Sequence, residues 1–417
     1  PTFFQGYRCW LAVYKSANYM ITNIDAMLLD KNGHTLECLS LLEYLKPDFS
    51  ELTLESKDKP VKDGHDLVSI KPGVIGALYA NEANTPPAEN VFKIAKALSF
   101  PYQFFMTEPS QVIRTGKTYF RSQASTTKRA RVAASQKTKY VASLYEILLS
   151  KIDFPQLNLP DTRMYDFEEN FQDVDSDEAV SKIERLAEYV RDYWGLGNGP
   201  IDNLQYLLES NGIVVTGFKN EDSSIDAYSQ QINVNGEDVY VVVLAIGKKP
   251  LERLRFDMAH ELGHLLMHRW SIEDTEGEVS KDEFNAREKQ ANIFASAFLL
   301  PRKSFGMAVS AYPTAIDYYR ELKKKWKVSM QAMMYRSRQM GIITANQFQY
   351  MMRQISKKGW RLKEPGDVPG QLRDNLFQGA IDLLIDGGYM SKEAILDEFA
   401  NEGIIFRIED LERFMCL

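Results

Sequence analysis

The stretch Arg255-Phe-Asp-Met-Ala-His-Glu-Leu-Gly-His-Leu-Leu-Met-His268 constrains this chain more than any other. It contains His260-Glu261-Leu262-Gly263-His264, an H-E-x-x-H pattern. On a helix, residues four apart lie one turn apart on one face, so both imidazoles can reach a single ion. Glu261, beside the first of them, is then placed to hold a water and take its proton. Histidine is scarce: of His34, His65, His260, His264 and His268, three fall in this stretch. With so few, chance produces the pattern in on the order of one per cent of such chains, or fewer. Phe256, Met258, Leu262, Leu265, Leu266 and Met267 are apolar. The helix is therefore expected to be buried, and the rest of the chain must supply what buries it.

Two histidines do not complete a catalytic zinc site, which takes three protein ligands and leaves one position open. His268 continues the spacing but lies about 12 Å of helix rise from His260, against Zn–N distances of about 2.1 Å. The Gly that turns the chain back in metzincin-type patterns is also missing. His268 reads instead as a helix-end residue or one that supports a ligand. Glu288 is the better third ligand. It stands on Glu288-Lys-Gln-Ala-Asn-Ile-Phe-Ala-Ser-Ala-Phe-Leu-Leu-Pro301, helical up to Pro301. Ala291, Asn292 and Ala295 share its face, and small residues there let this helix approach the first closely enough for a short carboxylate. Ser271 to Asp282, by contrast, reads as an acidic loop with no framework to fix a ligand.

Composition excludes several classes. At 417 residues the chain allows two to three domains. It is 44% hydrophobic and 26% charged, ordinary for a globular protein. No apolar run approaches the roughly 20 residues that span a bilayer, so no membrane partner is expected, and there is no signal-peptide pattern. Cys9, Cys38 and Cys416 are far apart and form neither a disulfide framework nor a Cys-type zinc site. A reducing cytoplasm is the simplest home. The net charge of −7 argues against indiscriminate nucleic-acid binding by the whole surface.

Taken in order, residues 1–27 carry little signal, and Pro1 to Gly6 resembles a cloning remnant. Residues 28–110 read as short helices, with a charged loop at 50–64. Leu36 to Leu45, Pro72 to Asn81 and Asn84 to Leu98 have helical spacing. With Pro86-Pro87 between helices and Phe104-Phe105 at the close, this part resembles the Cro/repressor-type helix-turn-helix family, whose recognition helix enters the DNA major groove. A helical bundle for protein contact or homodimerisation is the alternative. Residues 111–174 read as a basic, then acidic, helical connector. Arg114, Lys117, Arg121, Lys128, Arg129 and Arg131 could meet the phosphates of DNA or of single-stranded nucleic acid, or could be a solvated helix face. Helices are expected at 140–152, 178–194 and 201–210, and strands at 213–216, 225–233 and 239–245, with Asn235-Gly236 as a hairpin turn. Val239 to Ala245 is the expected sheet edge for an extended peptide. Further helices are expected at 311–334, 337–343 and 346–355. Glu364 to Gly370 has linker composition, and helices at 376–385, 391–400 and 409–414 form a tail.

The Arg255–His268 block, followed by Glu288-x-x-Ala-Asn-x-Phe-Ala-x-x-Phe-Leu-Leu-Pro301, resembles the ImmA/IrrE family of zinc metallopeptidases. Gly199-Pro-Ile-Asp-Asn-Leu, Asn211-Gly-Ile-Val-Val, Ile225-Asp-Ala-Tyr-Ser and Gly359-Trp-Arg extend the resemblance over about 175–365. It implies an α+β, mostly helical fold. A zincin-like metallopeptidase domain (175–362; small sheet plus H-E-x-x-H helix) follows the N-terminal helix-turn-helix-like domain, and a small helical C-terminal region (363–417) closes the chain. It implies one Zn²⁺ per chain on His260, His264 and Glu288, with Glu261 as the acid–base catalyst. It also implies limited cutting of a protein partner, a helix-turn-helix repressor, to switch on stress, mobile-element or phage-defence genes. A DNA-binding or antitoxin-like regulator with a structural metal is the rival reading. Tyr228 or Arg255 could stabilise the oxyanion or be structural, and Asn292 could orient Glu288.

Overall fold

Runs of valine and isoleucine become the interior of a sheet, and the His-rich stretch becomes a helix packed against it. The computed structural model describes residues 28–30, 52–56, 68–70, 115–120, 138, 141–165, 174–219, 227–234, 236–247, 249–268, 280–372 and 375–401. Three short strands, β1 (Leu28–Asp30), β2 (Leu52–Ser56) and β3 (Val68–Ile70), pair antiparallel in the order β1-β2-β3. The charged composition of 50–64 points to a loop, yet β2 lies there. The helices expected at 36–45, 72–81 and 84–98 lie outside the described residues.

The second sheet contains β4 (Thr115–Phe120), β5 (Ile213–Lys219), β6 (Ala227–Val234) and β7 (Glu237–Ile246), in the order β4-β6-β7-β5. β6 and β7 form an antiparallel hairpin about Gly236, whose φ of 87° is readily adopted only by glycine. β5 joins β7 in parallel, and β4 joins β6 antiparallel. Two expectations are corrected here. Val239 to Ala245 lies inside the sheet, paired on both sides, so it is not an edge for a substrate. Lys117 lies on a strand and not on a helical connector. Arg114, Arg121, Lys128, Arg129 and Arg131 lie outside the described residues. A period-2 signal only six residues long is easily masked by the basic run that follows it.

Ten helices carry labels: α1 (Asp177–Tyr193), α2 (Leu204–Ser210), α3 (Leu251–Met267), α4 (Lys281–Leu299), α5 (Arg302–Ser310), α6 (Ile316–Trp326), α7 (Met330–Gln339), α8 (Ala345–Lys357), α9 (Leu376–Asp386) and α10 (Lys392–Asn401). Residues 141–149 are also helical. The single helix expected at 311–334 is divided. Lys327 takes a left-handed conformation at φ 53°, and Ser329 caps α7 by accepting from Ala332 N. Apolar periodicity continues through the break because both helices face one core.

That core lies on one face of the sheet. Val215, Val242 and Leu244 pack there with Met258 and Leu262 of α3, Phe294 and Phe298 of α4, and Trp326 of α6. The opposite face is covered by 141–149, α9 and α10, through Leu144, Leu148, Phe377, Ile381 and Phe399 against Val214, Val241 and Val243. The described C-terminal helices are thus a layer of the fold. Among the described residues, no helix is long and apolar enough to cross a membrane.

The Pro/Gly-rich stretch after α8 has the composition of a linker but is pinned in place. Glu364 accepts from Met330 N and Gln331 N at the start of α7, 2.7 and 3.1 Å away, and from the buried Lys323, 3.1 Å away. Leu251 N, at the start of α3, donates to Val368 O over 2.8 Å. Glu209, at the end of α2, accepts from Leu376 N at the start of α9 over 3.0 Å. Burial raises the Glu209 carboxyl to about 8, against the hydrogen bonds from Leu376 and Gln205. The folded state therefore holds a proton that the unfolded chain releases near pH 4.3. The stability linked to this proton is complete below the unfolded pKa and is lost as pH rises through about 8. Glu209→Gln should accordingly gain in thermal midpoint relative to the parent between pH 5 and 8.5, and the gap should close near pH 4. A gap that stays constant across that range would show that the buried acid is not what titrates.

Candidate metal centre

The sequence brings two helices to unusually close range. α3 carries His260, Glu261 and His264. α4 carries Glu288, and its N-terminus is fixed by Ser280, which accepts from Glu283 N over 3.2 Å. The helices meet where Gly263 faces Ala291. A Cβ on Gly263 would lie 3.0 Å from Phe294 Cδ1 and 3.3 Å from Ala291 Cα. Glycine on one helix and alanine on the other let the backbones approach, and a short carboxylate then reaches the imidazoles. α4 begins at Lys281, so Asp282 belongs to a helix and not to the expected loop; 269–279 lie outside the described residues.

The result is a cluster of three donors. His260 Nε2 and His264 Nε2 are 3.0 Å apart. Glu288 Oε1 is 3.0 Å from His264 Nε2, and Glu288 Oε2 is 3.4 Å from His260 Nε2. Ligands about 2.1 Å from a tetrahedral ion stand roughly 3.4 Å from one another, so this spacing fits a zinc-sized ion. Two imidazoles and a carboxylate are also a donor set that zinc accepts. Among the described residues, this is the group of His, Cys, Asp or Glu side chains whose ligand atoms converge in this way, all within 4.8 Å. His260 and Glu261 are fully buried and His264 nearly so, whereas the Glu288 side chain keeps 14% exposure. Burial opposes the charge on Glu288, but its contacts with the imidazoles of His260 and His264 outweigh burial and hold the carboxyl at about 2.

The neighbours of these residues come from other elements. Ser229, on β6, donates its hydroxyl to Glu261 Oε2. His268 ends α3 as its cap, and its backbone leaves the helix at φ −113° and ψ 123°. Its Nδ1 lies 2.8 Å from His264 Nδ1, and its Nε2 lies 2.9 Å from Gln290 Oε1. Burial and the nearby His264 push its pKa well below the usual histidine range, so the ring is neutral. This is the supporting position expected for His268. Neither Ser229 nor Gln290 is singled out by the sequence, although alternation along β6 offers a clue: if Tyr228 faces one layer, Ser229 must face the other.

Three expected residues do not join the cluster. Tyr228 packs on the sheet face opposite α3, where its hydroxyl accepts from Thr138 over 3.4 Å and burial pushes its pKa up. Arg255 points away from His260 along α3. Its guanidinium donates to the carbonyls of Lys327, Asp202 and Ile201, 3.1, 3.2 and 2.5 Å away, and lines a separate cavity with Glu209 and Met258. Burial lowers it to about 10. It ties α3 to the loops before α2 and α7. Asn292 Nδ2 donates to the main-chain carbonyl of Glu288 over 2.8 Å, so it braces the helix and not the carboxylate.

The Gly263–Ala291 contact can be tested directly. Gly263→Val overpacks it and should cost about 1–3 kcal/mol of stability, read as a lower denaturant midpoint at unchanged slope. An unchanged midpoint would mean that the close approach is not needed.

No curated protein matches the chain. Residues 208–338, which hold β5 to β7, the three converging donors and the helices around them, match the peptidase M78 family model described as the IrrE N-terminal-like domain, and this part of the chain is therefore similar to metallopeptidases of the ImmA/IrrE type.

Proposed function

We propose that the protein is a zinc-dependent endopeptidase that makes a limited cut in one protein partner. The observation that carries the reading is the convergence of His260, His264 and Glu288 around one point, with Glu261 beside it and held by Ser229. His260, His264 and Glu288 would hold the ion. Bound there, zinc supplies Lewis acidity, lowering the pKa of a water towards ~7 and polarising a scissile carbonyl. Glu261 takes the proton from the attacking water and delivers it to the leaving amine. The Ser229 hydroxyl fixes the carboxylate for both transfers. Burial of Glu261 and both histidines excludes bulk water and strengthens each of these interactions.

The resemblance to ImmA/IrrE metallopeptidases supports a helix-turn-helix repressor as the partner, cut to release the genes it silences. Glu261→Gln should retain zinc and lose cleavage by a factor of at least about 100, in line with removal of a general base. The measurement is mass spectrometry of a co-expressed repressor from the neighbouring gene, with wild type and the variant compared. Cleavage that persists in Glu261→Gln would falsify the mechanism.

A further inference from the structure

We propose that His268 and Gln290 form a positioning relay that sets the tautomer of His264 and so presents its Nε2 lone pair to the metal position. The inference rests on the zinc reading above and adds two residues to it. The geometry is a chain of four groups: Gln290 Oε1, the His268 ring, the His264 ring and the point facing Glu288 and His260. The links are 2.9 Å from Gln290 Oε1 to His268 Nε2 and 2.8 Å from His268 Nδ1 to His264 Nδ1.

Two ring nitrogens 2.8 Å apart must share one proton, because two N–H groups would collide and two bare lone pairs would repel. The chain therefore has a direction, and only one of its two directions suits a metal. If Gln290 Oε1 accepts from His268 Nε2–H, then His268 Nδ1 is bare and accepts from His264 Nδ1–H. His264 Nε2 is then bare and faces the cluster. If the Gln290 amide presents its NH₂ group instead, every role reverses. His264 Nε2 then carries a hydrogen and cannot ligate. Gln290 is thus the residue whose acceptor end selects the productive direction. Both supporting side chains are buried, Gln290 at 4% and His268 at 3% exposure, so water cannot substitute freely for either.

The fold holds this relay in place. α3 ends at Met267, which turns His268 out of the helix and back beneath His264. Gln290 stands two residues after Glu288 on α4, so the helix that brings the carboxylate also brings the acceptor. Ligating histidines generally donate their second ring nitrogen to a carboxylate, carbonyl or water, and loss of that partner typically costs 10–100-fold in metal affinity. Here the partner is a second histidine with its own acceptor behind it.

The test uses the full chain and zinc alone, read by competition with a chelator of known affinity. Gln290→Met keeps the side-chain length and removes the acceptor. It should raise the zinc dissociation constant about 10–100-fold. Gln290→Glu restores an acceptor and should stay within about threefold of the parent, on the same scale. Equal zinc affinity in Gln290→Met and the parent would overturn the relay, as would equal losses in Met and Glu, which would reduce Gln290 to a packing role. A second measurement needs no variant: long-range ¹H–¹⁵N correlation on the zinc-loaded protein reads the tautomer of His268. A hydrogen on Nε2 supports the relay, and a hydrogen on Nδ1 refutes it. A parent chain that binds no zinc would refute the metal reading itself, an outcome distinct from zinc bound with the hydrogen on His268 Nδ1.

Discussion

The contact between Gly263 on α3 and Ala291 on α4 is the constraint on which the rest depends. A carboxylate on a short stem can join two imidazoles on a neighbouring helix only if the two backbones nearly touch. A Cβ at 263 would crowd Phe294 and Ala291 at 3.0 to 3.3 Å, so the neighbours would have to give way, and glycine inside the H-E-x-x-H pattern avoids that. Phe294 and Phe298 stack at 5.5 Å beside the contact, and Arg191 of α1 closes the far end of α4 by donating to Phe298 O over 2.6 Å. α4 is thereby held from both sides, by α3 and by α1.

The sheet acts as the second support, and its two faces have different tasks. One receives α3 and delivers Ser229 to Glu261. The other is apolar and needs a cover of its own, because an exposed face of Val214, Val241 and Val243 would be an aggregation surface. The cover comes from both sides of the matched region: 141–149 before it, and α9 and α10 after it. The pinned stretch from Glu364 to Gly370 carries the chain from one layer to the other. Residues far from the chemistry in sequence are in this way needed to hold β6, and with it Ser229, in register.

Much of this was legible from the sequence. The 3.6-residue spacing located α3 and the C-terminal part of α4, which begins at Lys281, seven residues before the stretch read as helical. Helix rise argued against His268 as a third donor, and the small residues on the face of Glu288 pointed to that carboxylate. The strands β5 to β7 were visible as β-branched runs. Other features were not, for physical reasons that differ from case to case. β4 is short and lies beside a basic run, so charge obscured its alternation. Pro and Gly in 364–370 signal the absence of regular structure, which is a different thing from the absence of contacts; Glu364 is buried by hydrogen bonds that composition cannot show. Tyr228 and Arg255 carry suitable chemistry, but their orientation depends on strand parity and helix phase relative to a partner. Those phases become known only once the layers are assembled. The same parity that turns Tyr228 away turns Ser229 inward.

The groups of the proposed site are therefore held by residues from several elements. Glu261 is held by β6, and His264 by the end of α3 and by α4. His260 and His264 together face a carboxylate that α4 supplies. A site built in this manner has no independent existence in the unfolded chain, so binding an ion there and folding the layers around it must be linked. An ion held by donors from both helices would bridge them, so its binding and the α3–α4 contact would support each other. The chemistry and the architecture thus meet at one point, where Gly263 lets the helices close and Glu288 uses the room that this leaves.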